Sequence, residues 1–234
     1  ASTTPTPRVS GGCQAAQGEA QDGAASPREG RSERAGSLQQ KFPGELRRIG
    51  EERESEPGGK PVKVMAFDEA RFGLINWHRR RYCPVGFRPP RVVRRRYEWR
   101  WLYAAVEPKT GESFCSYMPG VDGRCLESFL GELGEAYCDH HLVVVLDNAP
   151  SHRSRRITLP ENITLLKLPS YSPELNPVER WFLEFRRSLS NKLFESVEHL
   201  QRSLTRTLEP YWQQPALLKR LTGYSWWVEA VESL

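Results

Sequence analysis

The chain lacks an apolar run long enough to cross a lipid bilayer, which takes about 20 residues. Its most apolar stretch, LVVVL, is closed by His141 on one side and Asp147 on the other. Cysteine is scarce too: the five cysteines are odd in number, form no CxxC pair and follow no secretory signal. These absences argue against a membrane protein, a zinc site and a disulfide framework, and they indicate a cytoplasmic protein with reduced thiols.

The first part of the chain has almost no side chains that could form a core. Residues 1–40 hold only Val9 and Leu38 among the large aliphatics and no aromatic, amid many Ala, Gly, Ser, Glu and Arg. Such a segment cannot bury enough apolar surface to offset the entropy of folding. We therefore expect residues 1–60 to be a disordered or low-complexity segment, in which residues 41–52 could form a short helix.

Positive charge is concentrated in one stretch. The formal net charge is +5, yet residues 79–100 contain nine arginines and one glutamate, which is 9 − 1 = +8. Aromatic residues lie between these arginines, and the mixture suits phosphate contacts and stacking on bases. A solvated, charged hairpin without a partner is the alternative interpretation. If DNA is the partner, the arginines expected to bind it are Arg79, Arg80, Arg81, Arg94, Arg95 and Arg96.

The order of apolar patterns predicts an α/β domain. A strand at 62–67 precedes two strand-like runs around a Pro-Lys-Thr-Gly turn, and residues 122–138 have apolar side chains at helical spacing. Strands are expected at HLVVVLD and 163–168, and a helix at 178–194. An antiparallel meander followed by a crossover helix and a parallel strand indicates a ribonuclease-H-like mixed sheet flanked by helices. We expect this catalytic domain at 61–195 and a helical C-terminal extension at 196–234.

Three acidic residues occupy positions suited to a metal site. Asp68 and Asp147 each end a short apolar run, and Glu179 lies at the start of a predicted helix. Carboxylates are hard oxygen donors, and two magnesium ions about 3.5–4 Å apart can activate a water and stabilise a leaving oxygen. The pattern therefore predicts a phosphoryl-transfer centre that holds two divalent ions, magnesium or manganese.

Each acid also has an ordinary structural explanation. Asp68 and Glu69 are neighbours on a strand, so only one of them can face the metal. Asp147 could cap the turn after its strand. Glu179 could close a capping box, with Asn176 as the N-cap and Pro177 at the first helical position.

Three blocks, DEARFGL, LDNAPSH and LPSYSPELNPVE, closely resemble the catalytic blocks of DDE transposases of the Tc/mariner superfamily, bacterial insertion-sequence branch. The resemblance covers about residues 61–195. It implies that Asp68, Asp147 and Glu179 are metal ligands, with Asn148 and His152 in supporting roles. It also implies cleavage of DNA at the terminal inverted repeats, strand transfer into target DNA at TA dinucleotides, a homodimer in the active complex, and association with the nucleoid.

The chain departs from the family pattern in two places. Between Asp147 and Glu179 there are 179 − 147 − 1 = 31 residues, a few fewer than is usual, and residues 1–60 show no helix-turn-helix pattern that would recognise the repeats. The chain thus resembles a catalytic domain without its DNA reader. Three hypotheses follow: an active transposase domain, a noncatalytic DNA-binding or dimerising remnant, and a ribonuclease for RNA–DNA hybrids, which the transposase blocks disfavour.

Overall fold

The computed structural model describes residues 29–55, 58–75, 77–80, 82–87, 96–148, 157–169 and 172–234, with only the backbone at 29–35 and 54. In the described chain, five strands form one sheet: β1 (Val62–Gly73), β2 (Trp99–Val106), β3 (Ser113–Met118), β4 (His141–Leu146) and β5 (Ile163–Lys167). The sheet order is β3-β2-β1-β4-β5. The β1–β2 and β2–β3 pairs are antiparallel, whereas β1–β4 and β4–β5 are parallel. This confirms the predicted mixed sheet.

Helices cover both faces of the sheet. They are α1 (Glu29–Glu54), α2 (Gly123–Ala136), α3 (Val178–Leu189), α4 (Val197–Gln213), α5 (Pro215–Thr222) and α6 (Ser225–Glu232). Met65 and Phe67 of β1 share one core with Phe129 of α2. Val64 and Ala66 share the other core with α3 and the C-terminal helices. Because both faces are buried, β1 and β4 contain continuous apolar runs, VMAF in β1 and LVVVL in β4, rather than alternating patterns.

The expected hairpin around residues 108–111 is present and touches the helical layer. Gly111 has φ +84°, a conformation that glycine adopts without steric cost. A Cβ at this position would lie 2.0 Å from the carbonyl oxygen of Pro215, at the start of α5. The turn between β2 and β3 therefore needs glycine both for its backbone angle and for this close approach.

Helix α1 differs from the expectation for the N-terminal segment. It begins at Glu29, within the stretch expected to be disordered, and runs to Glu54 rather than covering only 41–52. Most of its residues are good helix formers, and its apolar side chains Phe42, Leu46 and Ile49 are buried against the rest of the chain. This tertiary packing, which composition does not reveal, stabilises the helix. Residues 1–28 lie outside the described part of the chain.

Helix α3 is shorter than predicted, because it ends at Leu189 rather than continuing to Phe194. The Ser190 hydroxyl donates to the carbonyl of Arg186, and Asn191 adopts a left-handed backbone with φ 60°. Asparagine is one of the few residue types that tolerate this conformation. The chain then turns, and α4 starts after Ser196, whose hydroxyl accepts from the backbone N–H of His199.

The Trp-rich C-terminus packs on the body of the protein. Trp227 is fully buried, and its ring centroid lies 4.9 Å from that of Phe42 in α1. One core cluster runs from Phe42 to Val231, across the predicted segment boundaries at 60/61 and 195/196, which stay predictions. Among the described residues, no helix has the length and apolar content to span a membrane.

Candidate active site

Asp68 and Asp147 lie side by side at the carboxyl edge of the two central parallel strands. The β1–β4 pairing runs from Val62 opposite His141 to Ala66 opposite Val145, a constant offset of 79 residues. Extending it by two residues places Asp68 opposite Asp147, since 147 − 68 is also 79. Neighbouring strands are about 4.8 Å apart, and side chains two residues apart share a face. Ala66 and Val145 both belong to the core on the α3 side, and the register continued past the end of β4 assigns both aspartates to that face.

Asp68 and Glu69 lie on opposite faces of β1. Asp68 shares its face with Ala66 and Ala70, which contact the α3 side of the sheet. Glu69 pairs in register with Tyr103, a member of the core on the α2 side. The carboxylate of Asp68 is also fixed locally, because its Oδ1 accepts from the backbone N–H of Glu69 at 2.8 Å. Of these two neighbours, Asp68 is the one placed with Asp147.

Asn176 ties the start of α3 to the end of β1. Its side chain is buried, with 2% exposure. The Asn176 Nδ2 donates to the carbonyl of Phe67 at 2.9 Å, and its Oδ1 accepts from the backbone N–H of Val178 at 3.2 Å. Since Phe67 directly precedes Asp68, this bridge brings Glu179, in the first turn of α3, next to the aspartates.

The structure argues against a capping box at Glu179. In a capping box, the glutamate side chain would accept from the backbone N–H of Asn176. That N–H donates instead to the carbonyl of Pro173 at 3.0 Å. The Glu179 carboxylate faces Arg186, with Oε2 3.6 Å from Nη1. The glutamate is therefore not required for capping the helix on which it lies.

The acids influence one another electrostatically. Burial raises the pKa of Asp68 well above its usual range, and the negative charges of Glu179, Glu69 and Asp147 raise it further, while the backbone N–H of Glu69 lowers it. Two of these three charges belong to the predicted metal ligands. Their repulsion is the kind that a bound divalent cation relieves.

The carboxylates of these residues are the type of donor that binds a hard divalent cation. In the part of the chain that the structure describes, no three Asp, Glu, His or Cys side chains are grouped tightly enough to hold a metal ion. Asp68 and Asp147 are adjacent, whereas the Glu179 carboxylate lies against Arg186. Oxygen ligands of this kind suit magnesium or manganese.

The other predicted site residues are only partly described. Asn148 follows Asp147 and is half-buried, while Arg79, Arg80 and Arg96 are exposed. His152, Arg81, Arg94 and Arg95 lie outside the described residues.

Residues 77–100, which we call the basic segment, contact the α3–α4 connection through Trp77 and Arg96. Asn191 donates its backbone N–H to the carbonyl of Trp77 at 2.8 Å, and Arg96 Nη1 donates to the carbonyl of Glu195 at 2.8 Å. β1 and β2 stay paired to Gly73 opposite Trp99, five residues beyond Asp68. Trp77 and Arg96 are thus held beside the edge of the sheet at which the aspartates lie.

An open groove lies where this segment leaves the sheet. It encloses about 500 Å³ and is lined by Arg71, Gly73, Ile75, Trp77, Arg96, Tyr97, Glu98 and Trp99. The Arg71 guanidinium stacks 5.2 Å from the Trp99 ring centroid. Trp77 and Trp99 are each 44% exposed, which is unusual for tryptophan. We will call this the aromatic groove.

Sequence reasoning did not find Arg71, Arg186 or the role of Asn176 in joining two elements. Asn176 gave a signal as a predicted N-cap, but its partner Phe67 lies 109 residues away in sequence. Arg71 follows DEA within the first block. Nothing in the local sequence distinguishes it from any other exposed arginine on a strand. Arg186 lies two helical turns after Glu179. Its second neighbour is Trp77, whose position depends on the fold and not on the local sequence of α3.

Comparison with known proteins identifies a family for this chain. Residues 63–201 match the family described as DDE superfamily endonuclease. The uncharacterized protein y4pE/y4sA of Sinorhizobium fredii is 36% identical over 104 residues, which are 44% of this chain and 77% of that protein.

The fold is similar to that of solved Mos1 structures. The Mos1 strand transfer complex has a TM-score of 0.57 at 20% identity, over 95% of this chain and 66% of that chain. Two mariner Mos1 paired end complexes, one with Mn and one with Mg, give 0.53 at 18% and 0.51 at 17% identity. They cover 94% and 95% of this chain, and 66% and 67% of theirs. The chain therefore spans about two thirds of the Mos1 chains, and by its sequence match and its fold it belongs to the DDE superfamily endonucleases.

Proposed function

We propose that the chain is the catalytic domain of a DDE transposase of the Tc/mariner type, from the insertion-sequence branch. It would cut DNA at the terminal inverted repeats of its element and transfer the freed strand to target DNA. The observation that carries the proposal is the convergence of three acids: Asp68 lies on β1, Asp147 directly follows the parallel partner strand β4, and the charges of Asp147 and Glu179 both act on Asp68. The Mos1 strand transfer and paired end complexes support it by similarity of fold.

In this proposal Asp68, Asp147 and Glu179 hold two magnesium or manganese ions. Such ions, when bound, lower the pKa of a water nucleophile and stabilise the leaving oxygen of a phosphodiester. Asp68 and Asp147 hold their positions through the register of β1 and β4, and Asp68 is oriented by the Glu69 N–H. Asn176 keeps the first turn of α3 at the same edge. Asn148 and His152 would support the site from the loop after Asp147.

The basic segment would hold the DNA beside these acids. Its arginines Arg79, Arg80 and Arg96 are exposed, and the aromatic groove offers Trp77 and Trp99 for stacking. Arg81, Arg94 and Arg95 would add further phosphate contacts. We further propose a homodimer that holds two element ends, TA dinucleotides as target sites, and association with the nucleoid.

Cleavage of a duplex that carries the element end tests the catalytic assignment. We expect strand cuts with Mg²⁺ or Mn²⁺ and none with chelator. In Asp147→Ala cleavage should fall to background, because a metal ligand is lost. Asp139→Ala is the control, since this exposed aspartate lies just before the other end of β4. Cutting that survives in Asp147→Ala would refute the assignment.

A second candidate function is that of a noncatalytic DNA-binding remnant whose acids no longer hold metal. The observation that favours it is the pairing of Glu179 with Arg186. Such a remnant would bind DNA with strong salt dependence but release no 3′ hydroxyl ends in any metal. The cleavage experiment separates the two, provided that DNA binding is measured on the same preparation.

Substitution of Trp99 tests the DNA interface separately from the chemistry. Stacking of a base on an aromatic ring contributes about 1–3 kcal/mol, so Trp99→Ala should weaken binding of single-stranded DNA about tenfold. Trp212→Ala is a matched control, because Trp212 in α4 is 43% exposed against 44% for Trp99. Fluorescence anisotropy with a labelled oligonucleotide measures both. Equal affinities of the two variants would exclude the aromatic groove as a base-stacking site.

A further inference from the structure

Arg186 lies between the acidic residues and the basic segment. Glu179 is in the first turn of α3 and Arg186 is seven residues later, two turns along the same face. Side chains on a helix lean toward its N-terminus, so the guanidinium of Arg186 reaches back toward Glu179. The resulting separation is 3.6 Å from Nη1 to Oε2.

The same guanidinium also contacts the start of the basic segment. Its central carbon lies 5.3 Å from the centroid of the Trp77 ring, within the range of a cation–π contact. Trp77 is fixed in turn by the hydrogen bond from Asn191 to its carbonyl. Arg186 therefore touches one group of each kind, a proposed metal ligand and an aromatic residue of the proposed DNA interface.

Arg186 retains hydrogen-bonding capacity in this arrangement. Its Nε is buried and has no acceptor among the described residues. A charge-assisted N–H···O bond is about 2.7–2.9 Å long, so the 3.6 Å contact with Glu179 is a loose one. Arg187, the next residue, differs: it forms a close ion pair with Glu184 on the exposed side of α3. Arg186 is thus better placed than Arg187 to accept a second anion.

We infer that Arg186 couples DNA binding to metal binding. Without DNA it pairs with the Glu179 carboxylate, which competes with metal ligation. A DNA phosphate bound beside Trp77 would take over the guanidinium and release Glu179 to the cation. The inference rests on the proposed function, and in it Arg186 is a positioning residue.

The charges require the coupling to act in both directions. When Glu179 binds a cation, the cation compensates the negative charge of the carboxylate. The positive charge of Arg186 then lacks a counter-charge unless another anion binds. A phosphate supplies that anion, and its binding removes the competitor of the metal. By linkage, the factor by which DNA tightens metal binding equals the factor by which metal tightens DNA binding. That factor is the quantity to measure, and it does not depend on turnover.

The test compares Arg186→Gln with Arg187→Gln, which make the same charge change one residue apart. Titration calorimetry gives Mn²⁺ affinity without DNA, and anisotropy gives the affinity for a short labelled duplex in Mn²⁺ and in chelator. A loose, partly exposed ion pair contributes up to about 1 kcal/mol, so Arg186→Gln should bind Mn²⁺ up to about fivefold more tightly than wild type without DNA. Its gain in DNA affinity from Mn²⁺ should be smaller than that of wild type. Arg187→Gln should match wild type in both.

The possible results are distinguishable. If wild type binds Mn²⁺ but Arg186→Gln matches Arg187→Gln, the coupling is absent and this inference fails while the proposed function stands. If wild type binds no Mn²⁺ with or without DNA, both fail. Should Arg186→Gln not fold, Arg186→Lys keeps the charge but not the planar fork, and a reduced coupling factor is expected there too. An unchanged factor in Arg186→Lys, with Arg186→Gln unfolded, would overturn the inference.

Discussion

Asp68 carries a charge that the folded chain disfavours. Burial and the neighbouring carboxylates raise its pKa, so the folded protein binds the proton more tightly than the unfolded chain does. Stability from this group is therefore present at low pH and is lost as pH rises from the usual aspartate range through the raised pKa. The residue is retained at a cost, as expected of a group placed for a function rather than for stability.

Replacement of Asp68 by Asn should expose this cost. We expect Asp68→Asn to raise stability without metal by on the order of 1 kcal/mol, about 2–4 °C for a domain of this size, because a disfavoured charge is removed. The same variant should lose the stabilisation that Mn²⁺ gives to wild type. Thermal unfolding at neutral pH, with Mn²⁺ and with chelator, measures both effects. A lower melting temperature in chelator would contradict this account of the charge.

At this scale the sequence predicted the acids but not their surroundings. Alternation along β1 indicated that only one of Asp68 and Glu69 could face a metal, and the family resemblance selected Asp68. The Glu179–Arg186 contact was not predictable, since residues seven apart lie two helical turns apart, beyond the i,i+3 and i,i+4 spacings at which side chains of a helix normally meet. What favours Arg186 is Trp77, whose position depends on the left-handed turn at Asn191.

Among the secondary-structure elements, α3 is the one whose placement decides whether a site exists. Its inner face is buried through Trp181, Phe182 and Phe185, which sets its depth against the sheet. Its position along β1 is set by the two hydrogen bonds of the Asn176 side chain. Apolar packing does not by itself define the position of α3 along β1. The hydrogen bond from the Asn176 side-chain amide fixes that position at Phe67, one residue before Asp68.

Removal of this amide should affect catalysis more than its stability cost suggests. In Asn176→Ala the buried carbonyl of Phe67 loses its donor, which costs about 1–3 kcal/mol. We expect cleavage to fall as well, because Glu179 is no longer held beside the aspartates. Asn162→Ala is the control: Asn162 donates to the carbonyls of Gly134, Tyr137 and His140, away from the acids.

Both variants should be less stable, and only Asn176→Ala should lose cleavage when assayed well below the two melting temperatures. Equal losses of cleavage would mean that Asn176 acts through overall stability alone.

The elements themselves were largely predictable, and their ends were less so. Helix α2 lies within the predicted range 122–138, and Asp122 caps it, with its carboxylate accepting from the N–H groups of Arg124 and Cys125. The end of α3 and the start of α1 were missed because tertiary contacts decide them. Asn191 is held by Trp77 and Arg79, and α1 is held through Phe42.

For the whole molecule, the layer formed by α1 and α3–α6 acts as one body with the sheet. The cluster on that face includes α1 residues, strand residues and Trp227 of α6. The three predicted segments, namely the N-terminal segment, the catalytic domain and the C-terminal extension, all contribute residues to this cluster. We expect the chain to unfold in a single cooperative transition.

Trp227→Ala tests this unity. Loss of a fully buried tryptophan typically costs about 3–5 kcal/mol, so the melting temperature should fall by roughly 10 °C. Trp212→Ala, at an exposed position, should change stability by less than about 0.5 kcal/mol. Far-UV circular dichroism and tryptophan fluorescence should report the same midpoint for Trp227→Ala. Two separate midpoints would show that α1 and α6 melt independently of the sheet.

The common offset of 79 residues between β1 and β4 has a consequence for how such chains can change length during evolution. Gain or loss of residues in the connections between the strands leaves the level of Asp68 and Asp147 unchanged. A single residue gained or lost within β4 would shift Asp147 by one position and turn its side chain toward α2. Relatives should therefore vary freely in the length of their loops while keeping the distance from the paired strands to each aspartate constant.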